Sequence, residues 1–268
     1  MKLPLYIIDA FADRPMQGNP AGVCPLESWL PTDIMQRIAS EINLSETVFF
    51  VPSETASHGT QVSFDVRWFT PTREVDMIGH ATLAAGHLVL EKIFKSANVA
   101  TFNSATSIMR VRRVAERLEI EMPALIPQSL SRNEGLADAL GAKPKEVWAA
   151  KHYLAVFDSP EEVRNLRPDF AAVAGLPLPA VIVTAQDTKY DFVSRFFAPA
   201  NGVPEDPVSG VAHCCLAPYW SKRLGKEALI GRQLSPRGGT VYCKMLADRV
   251  ALSGSASIFL QGEIDVAD

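Results

Sequence analysis

The sequence predicts two α+β domains of similar fold, near residues 1–125 and 126–268, with the option that the C-terminal segment packs back on the first domain. Three observations carry this reading. Strand-period alternation recurs along the chain while helical segments are few. A short run repeats at an offset of 128 residues. A proline-flanked segment, Met122-Pro123-Ala124-Leu125-Ile126-Pro127, separates the two copies as a linker.

The elements follow from local pattern. Val62, Phe64, Val66 and Trp68 alternate with Ser63, Asp65 and Arg67, the period of a half-buried strand. Leu118, Ile120 and Met122 alternate with Arg117, Glu119 and Glu121 in the same way. Tyr153–Phe157 and Ala180–Val183 read as deeply buried strands. Thr32 is suited to cap a helix with apolar positions Ile34, Met35, Ile38 and Ile42, ending at Asn43. A second helix is expected from about His80 to Ile93. A third runs from about Ser209 toward Leu216, where Pro218 limits or bends it.

Composition removes several function classes. The 268 residues carry 26 basic and 30 acidic side chains, a net charge of −4, which argues against a nucleic-acid partner. No apolar stretch reaches the ~20 residues needed to span a bilayer, so no membrane partner is expected. Cys24, Cys214, Cys215 and Cys243 form no CxxC pair, and they read as reduced thiols of a cytoplasmic protein. Cys214-Cys215 lies on an apolar helical run and reads as packing. His80 and His87 are seven apart, not the three or four that place two ligands side by side, so no metal is expected.

The repeat concentrates the candidate chemistry. Arg67-Trp68-Phe69-Thr70-Pro71 recurs as Arg195-Phe196-Phe197-Ala198-Pro199. Each copy continues through a polar loop into small and apolar residues, Gly79–His87 in one case and Asp206–His213 in the other. Matching His87 to His213 makes the second loop about two residues shorter and sets His80 opposite Asp206. Each helix start offers unpaired amides and a partial positive charge. Gly79, Ala81 and Thr82 supply these in one half, and Ser209, Gly210 and Val211 in the other. Two such ends facing one cleft would hold a carboxylate without Lys or Arg; the bland reading is two well-packed helix starts. His80 and Asp206 stand at these mouths as candidate catalytic groups, with Glu205 as an alternative acid read as the more solvated. Glu46 opens a strongly apolar strand, so it is either a desolvated carboxyl with a raised pKa or a solvated turn residue. Asn19, in Gly18-Asn19-Pro20, either reaches into the cleft or belongs to a plain turn.

Together these residues resemble the PhzF family of phenazine biosynthesis-like proteins. The matching runs are Asp9-Ala10-Phe11, Gly18-Asn19-Pro20-Ala21, Asn43-Leu44-Ser45-Glu46-Thr47, Arg67–Pro71, Gly79-His80-Ala81-Thr82 and Glu205–Gly210. They span most of the chain in order. The resemblance implies a diaminopimelate epimerase/proline racemase-like fold: two pseudo-symmetric domains, each a sheet or barrel around a central helix, with the active-site cleft between them. It also implies a homodimer and proton shifts at carbon that need no cofactor. The family's acid/base glutamate maps onto Glu46. His80, Asp206, Gly79 and the residues after Asp206 map onto its substrate contacts. In the racemase relatives two cysteines at the helix starts act as acid and base, whereas His80 and Asp206 are expected at those places here. Val211 stands where many relatives carry Ser, which keeps a backbone contact and removes a hydroxyl.

The expected function is therefore an isomerase or epimerase acting on a small carboxylate-containing substrate. Glu46, His80 and Asp206 are its catalytic residues, and Asn19, Gly79, Ala81, Thr82, Ser209, Gly210 and Val211 its substrate contacts. The alternative is a non-catalytic binding or interaction protein on an enzyme-derived fold.

Overall fold

The computed structural model describes residues 1–53, 59–131 and 134–266. It divides into two compact units, Met1–Glu121 with Ser253–Asp268, and Met122–Leu252. The border falls slightly before the expected 125/126, and the segment from Ser253 on belongs with the first unit.

In the first unit, β1 (Lys2–Ala10) and β2 (Asn19–Pro25) form an antiparallel pair, and α1 (Thr32–Ile42) leads into β3 (Thr47–Pro52). Then follow β4 (Gln61–Phe69), a short β5 (Glu74–Val75), α2 (Gly79–Leu88), β6 (Val99–Asn103), β7 (Ile108–Val114) and β8 (Arg117–Pro123). The alternating residues of β4 and β8 bury one face each, as the period requires. Helix α2 is the centre: every residue but His87 is buried, because small side chains let strands approach it from all sides. A helix that is apolar or small all round has no solvent face to offer. Gly86 marks the closest approach, since a Cβ there would lie 2.5 Å from Val111 on β7. Helix α1 covers the outer face with Met35, Ile38 and Ala39 against Leu5, Cys24, Leu26, Phe49, Val51 and Phe69. It ends at Asn43 in the left-handed conformation, as read from sequence. Thr32 is not its cap, however. Pro31 holds that position, and the Thr32 hydroxyl accepts from Arg67 Nη2 at 3.0 Å.

The second unit carries β9 (Gln128–Ser129), α3 (Leu136–Leu140), β10 (Glu146–Ala149), β11 (Tyr153–Val156), α4 (Pro160–Asn165), α5 (Phe170–Ala174), β12 (Val181–Gln186) and β13 (Phe192–Phe197). After β13 come α6 (Gly210–Leu224), β14 (Ala228–Gln233), β15 (Gly239–Leu246) and β16 (Arg249–Gly254). Helices α3, α4 and α5 close one apolar core with β11, β12 and β13. Finally β17 (Ala256–Asp265) pairs antiparallel with β1.

The duplication is topological. In the first unit β2–β3 is parallel, β3–β4 antiparallel, β4–β6 parallel across α2, and β6–β7 antiparallel. In the second, β11–β12, β12–β13, β13–β14 across α6, and β14–β15 repeat that series.

Two helix ends differ from expectation. The second predicted helix is α-helical only to Leu88 and finishes as a π turn, Val89–Ile93, closed by Phe94 N–H donating to the Val89 carbonyl at 2.7 Å. The third runs through Pro218 to Leu224 instead of stopping near Leu216. Proline has no N–H to offer the carbonyl four residues earlier. That carbonyl, on Cys214, accepts instead from Leu125 N–H at 2.9 Å, so the proline-flanked linker repairs the gap.

Substituting Gly86→Ala should destabilise the protein by roughly 1–3 kcal/mol through overpacking against Val111, read as a lowered midpoint in chemical denaturation.

Candidate active site

In the first unit the fold brings three of the expected polar residues, Asn19, Glu46 and His80, to one place, with Ser45, which the sequence did not single out, between them. Asn19 opens β2 opposite Ala10, directly after a turn that only glycine fits: Gly18 has φ +65°, and a Cβ there would lie 2.1 Å from the Ala10 carbonyl oxygen. The Asn19 side chain is buried, and Ser45 Oγ donates toward its Oδ1 at 3.5 Å. Glu46 immediately precedes β3. Its carbonyl accepts from Gly22 N–H at 3.1 Å, which pins it to β2. Gly22 has no side chain because a Cβ would meet Thr47 Oγ1 at 2.8 Å. His80 is the second residue of α2, and its Nε2 lies 3.2 Å from Glu46 Oε2 and 3.5 Å from Ser45 Oγ.

The Glu46 carboxyl is largely desolvated, its side chain only 14% exposed. Burial pushes its pKa up to about 7, against a partial lowering by a hydrogen bond from Ser45. Among the described residues, Oε2 has no hydrogen-bond donor in good geometry. The His80 ring stands close enough for an ion pair but off the line a hydrogen bond needs. Of the two sequence readings of Glu46, the desolvated carboxyl is the one observed.

At the start of α2, no side chain among the described residues caps the helix. The amides of Gly79 and Ala81 therefore have no acceptor within it. Thr82 differs from expectation. Its N–H donates to the Ile78 carbonyl at 3.2 Å, its hydroxyl donates to the same oxygen at 2.6 Å, and it accepts from Trp68 Nε1 at 3.0 Å. Its polar atoms are thus spent on holding α2 against β4.

The second unit builds its cluster differently. Ser209 caps α6, its Oγ accepting from Ala212 N–H at 3.2 Å, which leaves the amides of Gly210 and Val211 in the first turn. Asp206 lies three residues before that cap. Gln233, at the end of β14, braces the stretch between them: its Nε2 donates to the Asp206 carbonyl at 2.6 Å and its Oε1 accepts from Ser209 N–H at 3.0 Å. Gln233 is fully buried and was not singled out from sequence, since nothing local marks a strand-end glutamine as a partner of a loop 27 residues away.

The pseudo-symmetric register also needs correction. Both helices begin with glycine after an extended residue, Ile78 and Ser209 respectively, so Gly79 matches Gly210. Nine residues (70–78) separate β4 from α2, but twelve (198–209) separate β13 from α6. The second loop is therefore three residues longer, not two shorter, and the extra length includes the 3-10 turn Pro199–Asn201. On this register His80 matches Val211, and Asp206 matches Val75. The histidine pairing misled. His213 is a wholly buried core residue whose Nδ1–H donates to the Ser209 carbonyl at 2.8 Å, and burial lowers its pKa to about 4. Glu205, expected as the solvated alternative acid, is held in an ion pair. Arg195 grips it at both oxygens, Nε–Oε1 2.7 Å and Nη2–Oε2 2.9 Å.

The cysteines behave as packing. All four are buried, and burial pushes the thiols of Cys24, Cys214 and Cys215 up to about 12 and that of Cys243 upward as well. Among the described residues no group of three His, Cys, Asp or Glu side chains is placed to hold a metal ion, and no helix is long and apolar enough to cross a membrane.

Comparison with known proteins agrees with this architecture. The family described as phenazine biosynthesis-like protein (PhzC-PhzF) matches residues 8–262. A Pseudomonas aeruginosa protein named as an uncharacterized isomerase is 46% identical, over 98% of this chain and 99% of its own. The crystal structure of a PhzF family protein from Enterococcus faecalis superposes with a TM-score of 0.93 at 40% identity, covering 99% of this chain and 100% of the other. A hydroxyproline epimerase from Agrobacterium vitis, solved with trans-4-hydroxy-L-proline, shares the fold at a TM-score of 0.61 and 9% identity, covering 100% of this chain and 93% of the other. The fold is accordingly of the proline racemase/diaminopimelate epimerase type.

Two outcomes follow from the burial of these groups. Glu46 binds its proton more tightly folded than unfolded, so its contribution to stability is intact below pH 4.5 and is lost as pH rises toward 7. The stability of Glu46→Gln relative to the unaltered protein should therefore rise by roughly 3 kcal/mol between pH 4.5 and pH 8, measured by denaturant titration. Iodoacetamide should leave the four buried thiols of the native protein unmodified and label all four after denaturation, counted by mass spectrometry.

Proposed function

The chain belongs to the phenazine biosynthesis-like (PhzC-PhzF) family, and from that premise we propose that it is an isomerase that moves a proton at a carbon beside a carboxylate in a small acid. The observation that carries this reading is the Glu46 carboxyl, desolvated and set 3.2 Å from His80 Nε2. With a pKa pushed up to about 7, it is close to half ionised at neutral pH. One group is then equally able to accept a proton and to return it. The names of relatives, isomerase in Pseudomonas aeruginosa and hydroxyproline epimerase in Agrobacterium vitis, support the same class of reaction.

In the proposed step, the Glu46 carboxylate takes the proton from the carbon, and the C–H electron pair spreads onto the substrate's adjacent carboxyl group. Glu46 then returns the proton at a second carbon along the chain. His80 orients the substrate or relays protons beside Glu46. Amides of the α2 first turn, Gly79 and Ala81, face developing negative charge, the use to which preorganised N–H donors are best suited. Asn19, through Ser45, holds this cluster in register. Asp206 and the first turn of α6, Ser209 with Gly210 and Val211, are assigned to the same substrate in this proposal. Thr82 is left out, because its polar atoms are already committed. The step uses only the protein's own side chains and needs no cofactor. A cytoplasmic homodimer is part of the same proposal.

The test is incubation with α-amino and α-hydroxy acids, trans-4-hydroxy-L-proline and L-proline among them, in D₂O, with carbon-bound deuterium read by NMR. Exchange by the unaltered protein is expected, and Glu46→Gln should lower it by at least about 10²-fold while the fold persists. The rate should rise through a midpoint near pH 7 on its acidic side, where Glu46 ionises to the proton-accepting form. Equal exchange by the Glu46→Gln variant would overturn the assignment. No exchange by either protein across the panel would favour a non-catalytic binding role.

A further inference from the structure

The duplication has copied one device that the proposed reaction does not use. In each unit the arginine that opens the repeated run grips a glutamate of the connection to the central helix with two parallel hydrogen bonds. Arg67 holds Glu74 with Nε–Oε1 2.7 Å and Nη2–Oε2 2.6 Å. Arg195 holds Glu205 with Nε–Oε1 2.7 Å and Nη2–Oε2 2.9 Å. Each guanidinium also lies over the phenylalanine two residues on, Phe69 at 5.3 Å and Phe197 at 4.8 Å. Glu74 and Glu205 each stand five residues before the glycine that begins the central helix, so the pairs are equivalent on the corrected register.

They have diverged in setting. The Arg67–Glu74 pair is half-exposed, with side chains 26% and 41% accessible, against 10% and 14% for Arg195 and Glu205. The remaining nitrogen of Arg195, Nη1, donates to the carbonyls of Val163, Arg164 and Leu166 at 3.2, 3.3 and 3.0 Å. Those carbonyls end α4, so one guanidinium ties a helix terminus to the residue directly before Asp206. Gln233 secures the other side of the same stretch at Asp206 and Ser209.

We propose that Arg195 and Glu205 are a positioning pair that fixes the backbone from Asp206 to the start of α6 for substrate binding. Loop 198–209 is three residues longer than its counterpart, and a longer loop needs a stronger anchor to hold one conformation. A planar, bidentate, desolvated pair supplies direction as well as attraction. The proposal rests on the assignment of Asp206 and the α6 first turn to substrate made above.

The experiment separates positioning from stability. Arg195→Met combined with Glu205→Leu removes both charges together, and apolar replacement of a buried pair as a unit is commonly tolerated. The double variant should stay folded but melt below the unaltered protein, because the α4 carbonyls lose their donor, and it should lose amide-exchange protection at Asp206 and Ser209, whose N–H groups donate to the Phe196 carbonyl and to Gln233. On the acid that incorporates deuterium in the screen above, its KM should rise at least about 10-fold with kcat held within about 3-fold. A merely structural pair predicts that a variant still folded at the assay temperature is equally active, so unchanged KM and unchanged protection would overturn the proposal. If the double variant does not fold, Glu205→Gln, which keeps the size but replaces one of the two acceptor oxygens with an NH2 donor that faces the Arg195 guanidinium, should raise KM in the same direction, and no rise would overturn it. If the unaltered protein exchanges no proton at carbon, the proton-shift reading fails by itself. Protection at Asp206 and Ser209 in whichever variant folds then decides the pair: its loss supports the proposal and its retention overturns it.

Discussion

Placing the Glu46 carboxyl out of water, beside an imidazole and, among the described residues, without a well-aligned donor on Oε2, is the constraint around which the first unit is organised. An ionised carboxylate in such a place is costly, and the group responds by holding its proton to about pH 7. Keeping it there demands rigid surroundings. Gly22 supplies an N–H to the Glu46 carbonyl and lets β2 lie against Thr47 with no side chain between. Helix α2 is enclosed along nearly its whole length, so His80 at its second position has little freedom. A sheet that buries its central helix is thereby also a device for holding one acid at a fixed distance from one base.

The second unit shows how a duplicated topology takes on different chemistry. Its strand series repeats that of the first, yet the helix starts are not chemical copies. Where α2 begins uncapped after Ile78, α6 is capped by Ser209 and its approach is braced by Gln233 and by the Arg195–Glu205 pair. Where the first helix carries His80, the second carries Val211. The Trp–Thr hydrogen bond that locks each core also changes hands. Trp68 on a strand donates to Thr82 on the helix in one unit, and Trp220 on the helix donates to Thr184 on a strand in the other. Backbone topology survives such exchanges because it depends on period and burial, which many residue pairs satisfy.

Long-range repair is a second theme. Pro218 would break α6 on local grounds, and the helix continues because Leu125 donates the hydrogen bond that proline cannot. The proline-flanked segment is thus a structural partner of the helix as well as the passage from one unit to the other.

Much was legible in the sequence because it depends on neighbours along the chain. Alternation in Val62–Trp68 and Leu118–Met122 marks strands, and Asn43 marks the end of α1. The small-residue run after Gly79 marks a helix that other elements must approach closely. The repeated arginine run marks the duplication, and the ordered motifs mark the family. What the tertiary structure alone decided depends on residues far apart. The partnership of Glu205 with Arg195, the bracing of Asp206 by Gln233, the rescue of Pro218 and the spending of Thr82 on Trp68 are through-space choices. The register between the two helix starts belongs with them, since sequence matching aligned two histidines with unrelated surroundings. The raised pKa of Glu46 is of the same kind. A residue type and its neighbours state that a carboxyl is present, but the dielectric around it is set by every strand and helix that folds over it.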